Sequence, residues 1–401
     1  MTNFLRFAII SLLFMACNSE KQVHKMESQI HDLKAEFAPD KRVKLFEVKA
    51  APKGQAVLLK GKTNLPDVKE RLLSFASQNE IAIIDSIRVL PEGELKKRPF
   101  GIVNVSVANL RSQPKHSAEL STQALMGAVL RVWEQEGDFF LVQTPDDYFG
   151  WMDDGGFLPA DSNRVHNFLA SERLIVVSSF AFVFSEPSFA SQKVSDLVAG
   201  DILQGTYSEG VDFLPVSLPD GRKGFVAAED VRPFVEWLDQ PEPQADAVIA
   251  AGLEMMGRPY LWGGTSGKGM DCSGFTKMAY FLNGVQLPRD ASQQVHVGGL
   301  LDKDTTLNAY QPGDLLFFGR EATADKKERI WHVAIYLGNG KILHASDRVM
   351  IQSLRRGDPD FAEERLNTLV RGRRIIGSIG QNGVLAVKEV PWYVRGEDLK
   401  N

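Results

Sequence analysis

The chain has 401 residues, which at roughly 150 residues per domain is enough for two to four domains. Apolar residues make up 44% and charged residues 24%, a composition that excludes a fibrous or wholly disordered protein. A formal net charge of -5 and the lack of any Lys/Arg run argue against a nucleic-acid partner, and the mild acidity points to no particular substrate.

Residues 1–17 stand apart: Arg6 is their only charge, and Phe7 to Ala16 is apolar but for one Ser. That run is too short to span a bilayer, which takes about 20 residues, and fits the apolar region of a secretory signal. Ala16 then precedes Cys17, and FMAC resembles a bacterial lipoprotein signal, with Phe14 where Leu is usual. The resemblance implies cleavage before Cys17, a lipid on its thiol, and an exported protein anchored in the cell envelope, periplasm-facing or at the surface. Residues 18–40 read as a polar tether. Only two Cys are present, Cys17 and Cys272, so a lipidated Cys17 leaves Cys272 without a disulfide partner.

Residues 41–92 read as a small α+β unit, with strands in RVKLFEVKA and QAVLLKGKT, a helix from Leu65 to Gln78 that tolerates Pro66 in its first turn, and a strand in IAIIDSIRVL. Residues 98–160 and 172–235 switch to short strands and turns, and they repeat each other. LMGAVL recurs as VAGDIL with Gly127 and Gly200 aligned, 73 positions apart; GDFFLVQTPDDYFGW recurs as VDFLPVSLPDGRKGF with Gly150 and Gly224 aligned, 74 apart. A period of that length is a duplicated small β-barrel rather than a solenoid. NLRSQP, a strand, a Gly turn, another strand and a closing Gly-Trp resemble bacterial SH3-like domains, which bind wall peptides or buttress a catalytic neighbour. The polar break DQPEPQ leads into a last domain, residues 245–401.

The richest stretch is RPYLWGGTSGKGMDCSGF, Arg258 to Phe275. Its glycines make an irregular loop, Asp271 is placed as a helix N-cap, and Ser273 to Leu282 carries a helical apolar stripe. Cys272 thus opens a helix, where the macrodipole and free N–H groups favour a thiolate. Of the seven His, His332 in HVAIYLG and His344 in KILHAS flank Gly338-Asn339-Gly340, an obvious hairpin. An odd-length loop pairs Leu337 with Lys341 and sets His344 opposite Ala334, so both His share a face one diagonal step apart. His332 is then the candidate base, forming a thiolate–imidazolium pair; His344 orients it, and the Cys272 N–H supplies part of an oxyanion hole. A Cys–His–His metal site would need a fourth, closely spaced ligand, and no such pattern is present.

DCSGF, LPRDASQQ, QPGDLLFF, HVAIYLG and HAS, in that order, resemble the NlpC family of cell-wall peptidases. The resemblance covers about Ala245 to Ile379 and implies a multidomain α+β protein: a small N-terminal α+β unit, two SH3-like β-barrels, and a C-terminal papain-like α+β catalytic domain without cofactor. With its leader and paired barrels the chain is similar to the γ-D-glutamyl-L-diamino-acid endopeptidases of that family, which cut peptidoglycan-derived peptides, L-Ala-γ-D-Glu-diamino acid, bearing a free N-terminal L-Ala. By that match Cys272 is the nucleophile, His332 the base and His344 the third polar residue, and Tyr260, Trp262, Asp271, Ser273 and Asp290 line the substrate. A cationic amine in a closed site calls for a buried acid. In that subfamily an acid of the first SH3-like domain fills this role, and HSAEL resembles its position, which nominates Glu119, with Tyr148 and Trp151 as an aromatic wall; an exposed loop charge is the equal alternative for Glu119. Competing readings are a wall-binding lipoprotein with a degenerate peptidase domain, and another papain-like amidase or acyltransferase.

Overall fold

The computed structural model describes residues 2–394, with side chains from Ser19 onward, so the leader reading at Cys17 lies outside the described side chains. Two units divide the chain, Met1–Lys97 and Arg98–Asn401. No helix among the described residues is long and apolar enough to cross a membrane.

In the first unit, Phe46–Lys53 alternates buried and exposed residues, the period-2 signature of a half-buried strand. It pairs antiparallel with Ala56–Thr63, which pairs parallel with Ile83–Val89. The Pro66–Gln78 helix crosses between the parallel strands and buries Val68, Leu72 and Ala76 at helical spacing. The tether expected over residues 18–40 is instead mostly helix: Thr2–Phe37 is one element, and Met26, Ile30 and Leu33 enter the same core as Leu59 and Leu72. Spacing of i, i+4 and i+7 gives those apolar residues a common face amid their charged neighbours.

The second unit contains both barrels and the C-terminal domain. The first barrel orders its strands as Phe157–Ala160, Phe100–Val103, Val129–Glu136, Phe139–Gln143, Phe149–Asp153, Val107–Arg111, Leu120–Leu125. The second runs Val231–Pro233, Arg173–Val176, Ile202–Gln204, Phe213–Ser217, Lys223–Ala227, Phe180–Phe184, Lys193–Val198. Strand for strand the two orders correspond, the topology that the aligned Gly turns require. Those turns also join the barrels: the Ile202 N–H donates to the Met126 carbonyl (2.9 Å), and the Met126 N–H to the buried Asp201 carboxylate (3.0 Å). Gly127 has φ +80°, and a Cβ there would sit 2.4 Å from the Ile202 oxygen, so only Gly fits this contact.

The C-terminal domain is a six-stranded antiparallel sheet ordered Gly299–Leu301, Leu369–Arg374, Leu315–Arg320, Arg329–Gly338, Lys341–Ala345, Val349–Ser353. Side-chain parity sorts its two faces. Phe317, Val333, Ile335 and Leu343 share a core with Phe275, Met278 and Ala279 of the Cys272–Phe281 helix. Leu316, Phe318, Ala334 and Ile342 pack against Tyr310, Leu366 and Leu369.

Candidate active site

Asp271 caps the Cys272–Phe281 helix by accepting the Gly274 N–H at 2.8 Å. It also accepts the Gly263 N–H (2.9 Å) and two N–H groups of Arg289 (2.6 and 3.1 Å). Asp271 is buried, and through these bonds it ties the helix cap, the glycine loop and Arg289 together. Arg289, 1% exposed, also donates to Ser273 Oγ and Thr122 Oγ1, both at 3.0 Å. Arg289 stands inside LPRDASQQ beside the nominated Asp290, yet nothing in the sequence alone marks it as the buried cation of the site. Burial would lower its pKa, but the charge of Asp271, the hydrogen bonds to it and the charge of Asp290 together outweigh that and raise it.

The first barrel forms one wall of the glycine loop. Gln123 Oε1 accepts the Thr265 N–H (3.0 Å) and the Ser266 hydroxyl (2.9 Å), and a Cβ on Gly263 would lie 2.2 Å from the Leu120 carbonyl oxygen. Lys277 on the catalytic helix pairs with the buried Asp146 of the barrel at 2.6 Å. Two nominated pairs meet across this seam. The Trp262 indole N–H donates to Glu119 Oε1 at 2.6 Å, and the Tyr148 hydroxyl to Asp290 Oδ2 at 3.0 Å. Glu119 is exposed, not the buried acid expected, because its loop lies at the barrel rim and Trp262 itself is 62% exposed. Trp151 is buried in its barrel strand, in register with Leu141 and Arg111. Tyr260 is partly buried, its N–H bonded to the Asp347 carbonyl (3.0 Å). Burial, then the charges of Cys272 and Asp271, push its phenol upward.

The hairpin carries the two His. Ile335 faces Leu343 and Tyr336 faces Ile342, the register that sets Ala334 opposite His344. It is reached differently from the expected Leu337–Lys341 pairing. Gly338 faces Lys341 around a two-residue Asn339-Gly340 tip, both residues at positive φ, and a bulge between Tyr336 and Gly338 restores the odd count. A second bulge falls at the site: Phe318 faces His332 but Gly319 faces Ile330, leaving Trp331 as the extra residue. The result is a direct bond, His332 Nε2 to His344 Nδ1, at 2.7 Å between rings 84° apart. His344 Nε2 lies 2.9 Å from Gln352 Oε1. The backbone of Val333, next in the chain to His332, favours the ionised form of the Cys272 sulfur. No group of metal-ligating residues is present among the described residues.

The electrostatics depart from the thiolate expected at a helix start. Burial, with the Asp271 charge adding to it, pushes the Cys272 thiol up to about 12. Burial pulls His332 well below its ordinary value and His344 down to about 4, and the Arg365 guanidinium pushes both the same way. The helix dipole and two N–H contacts do not offset loss of water around the sulfur. The raised thiol and lowered imidazoles both favour the neutral forms at rest. The resting protein is therefore expected to show no ultraviolet thiolate absorbance at neutral pH, the signal rising only in strong alkali. A thiolate band at pH 7 that vanishes in Cys272→Ala would contradict this.

Residues 257–362 match the model of the NlpC/P60 family, and residues 110–156 that of the bacterial dipeptidyl-peptidase Sh3 domain. Dipeptidyl-peptidase 6 of Lysinibacillus sphaericus is 32% identical over 276 residues, 67% of this chain and 96% of that one. A γ-D-glutamyl-L-lysine dipeptidyl-peptidase of Bacillus cereus is 32% identical over 57% of this chain and 67% of its own. A crystal structure of an NlpC/P60 family protein from Bacillus cereus covers 69% of this chain and 99% of its own, with a TM-score of 0.58 and 26% identity. The chain belongs to the NlpC/P60 family of cell-wall cysteine peptidases. Its build is multidomain α+β, with SH3-like domains and an NlpC/P60 catalytic domain.

Proposed function

We propose that the protein hydrolyses the γ-D-glutamyl–diamino acid bond of peptidoglycan-derived peptides that carry a free N-terminal L-Ala. Cys272 attacks the γ-carbonyl, His332 takes the thiol proton as attack proceeds and returns it to the leaving amine, water deprotonated by His332 then cleaves the resulting thioester and frees the thiol, and His344 holds His332 in place. The Cys272 N–H, first in its helix and without an intrahelical acceptor, faces the developing oxyanion. The observation that carries the substrate assignment is the Glu119–Trp262 contact, which brings a barrel carboxylate onto the glycine loop that precedes Cys272. A carboxylate there suits an ammonium group at the end of a short peptide, and Tyr148 with Asp290 suits its neighbouring polar atoms. Relatives named for γ-D-glutamyl-L-lysine cleavage support the same bond.

The test incubates purified protein with L-Ala-γ-D-Glu-diaminopimelate and L-Ala-γ-D-Glu-L-Lys and follows released L-Ala-D-Glu. Acetylating the amine is expected to cost roughly 10- to 100-fold in kcat/KM, the worth of one charge-assisted contact. Glu119→Gln is expected to erase that preference. Release of no L-Ala-D-Glu from either peptide sinks the substrate assignment, and equal cleavage of blocked and free peptides removes Glu119 alone. Anchoring through a lipid on Cys17 belongs to the same proposal, supported by the apolar Phe7 to Ala16 run before it. Mass spectrometry finding a mature N terminus other than lipid-bearing Cys17 removes that part.

A further inference from the structure

We propose that Gln352 is a positioning residue that sets the proton arrangement of the His332–His344 pair, leaving His332 with a bare Nδ1 for Cys272. The inference rests on the reading of Cys272 and His332 as nucleophile and base.

Two neutral imidazoles in contact can share one proton in two ways. Either His332 Nε2–H donates to a bare His344 Nδ1, or His344 Nδ1–H donates to a bare His332 Nε2. The 2.7 Å bond is the same in both. Only the first leaves His332 Nδ1 free to take a proton; in the second that nitrogen already carries one and the ring cannot act as base towards the thiol. The pair by itself is therefore ambiguous, and a third partner must break the tie.

Gln352 Oε1 sits 2.9 Å from His344 Nε2. A carbonyl oxygen only accepts, so His344 carries its proton on Nε2, its Nδ1 is bare, and His332 donates from Nε2. Strand register supplies the contact: Gln352 faces Ile342 and His344 faces Met350, which makes Gln352 and His344 diagonal neighbours on one side of the sheet. His344 is fully buried and His332 5% exposed, so bulk water does not compete for these nitrogens. The charged groups that act on the pair are Arg365 of the Glu363–Asn367 helix, which disfavours protonation of both rings, and Asp347, which favours that of His344. A neutral amide fixes direction without adding a negative charge, so the pair stays neutral at rest and still relays in one sense.

The test uses the full chain. Nitrogen-15 NMR of labelled His at neutral pH is expected to show both rings of wild type protonated on Nε2. Gln352→Met is expected to lower kcat about tenfold or more with KM little changed, the usual scale for a partner that orients a working ligand, and to disturb the His tautomers. Gln352→Glu, whose carboxylate also only accepts, is expected to keep kcat near wild type. Its negative charge stabilises the imidazolium, so the acid limb of the pH profile moves to higher pH. A wild-type His344 carrying its proton on Nδ1 overturns the proposal even if the Met variant does not fold. Wild-type kcat in Gln352→Met overturns it too, as does an equal loss in both variants with unchanged tautomers, which marks mere packing. Retained activity in Cys272→Ala would instead remove the underlying assignment of nucleophile and leave the tautomer result standing.

Discussion

Cys272→Ala is expected to abolish release of L-Ala-D-Glu, a fall of roughly 10⁴- to 10⁶-fold in kcat, with the fold and peptide binding retained. His332→Ala is expected to fall almost as far, and the double variant no further. Nucleophile and base act as a unit: with both neutral at rest, attack on the carbonyl and transfer of the thiol proton are one event, and removing either partner removes it whole. The methyl group of Ala fits the buried site that holds the sulfur, so thermal melting is expected to move little. Single-turnover assays on the three variants check this; a Cys272→Ala protein within tenfold of wild type would exclude the thiol as nucleophile.

Arg289→Met is expected to cost about 3–5 kcal/mol of stability, because it strands the buried Asp271 without its cation. In a unit of this size that corresponds to a melting temperature lower by on the order of 10 °C. Asp271 holds the helix cap and Gly263, and Arg289 holds Ser273 and the barrel residue Thr122, so the loss reaches both sides of the seam. Arg289→Lys keeps the charge but not the forked geometry and is expected to fall between the two. Calorimetry decides: a Met variant melting with wild type would show that the pair is dispensable.

Much of this site was legible in the sequence because its signals are local. A helix start at Cys272 follows from Asp271 and the apolar stripe behind it, and strand parity alone brings His332 and His344 to one face. The bulge after Tyr336 was not legible, since a two-residue tip with a bulge and a three-residue loop give the same register. Glu119 and Trp262 were both nominated, as were Tyr148 and Asp290, but their pairing across 143 and 142 positions is a product of how the barrel docks. Arg289, Gln123 and Gln352 look like ordinary polar residues until the fold sets them against partners. The tether failed for a different reason. Charges among Met26, Ile30 and Leu33 disguised a helical stripe whose meaning depends on the sheet it covers.

Gly263 pressed on the Leu120 carbonyl, with Thr265 and Ser266 tied to Gln123, has a bearing on how such proteins can be recombined. The loop before the nucleophile takes its shape from residues that precede the NlpC/P60 match by more than a hundred positions. A chimera that transplants the catalytic segment alone would bring the chemistry without its mould. In this chain the loop is shaped by the barrel, so a graft that carries both is expected to keep activity that the catalytic segment alone loses.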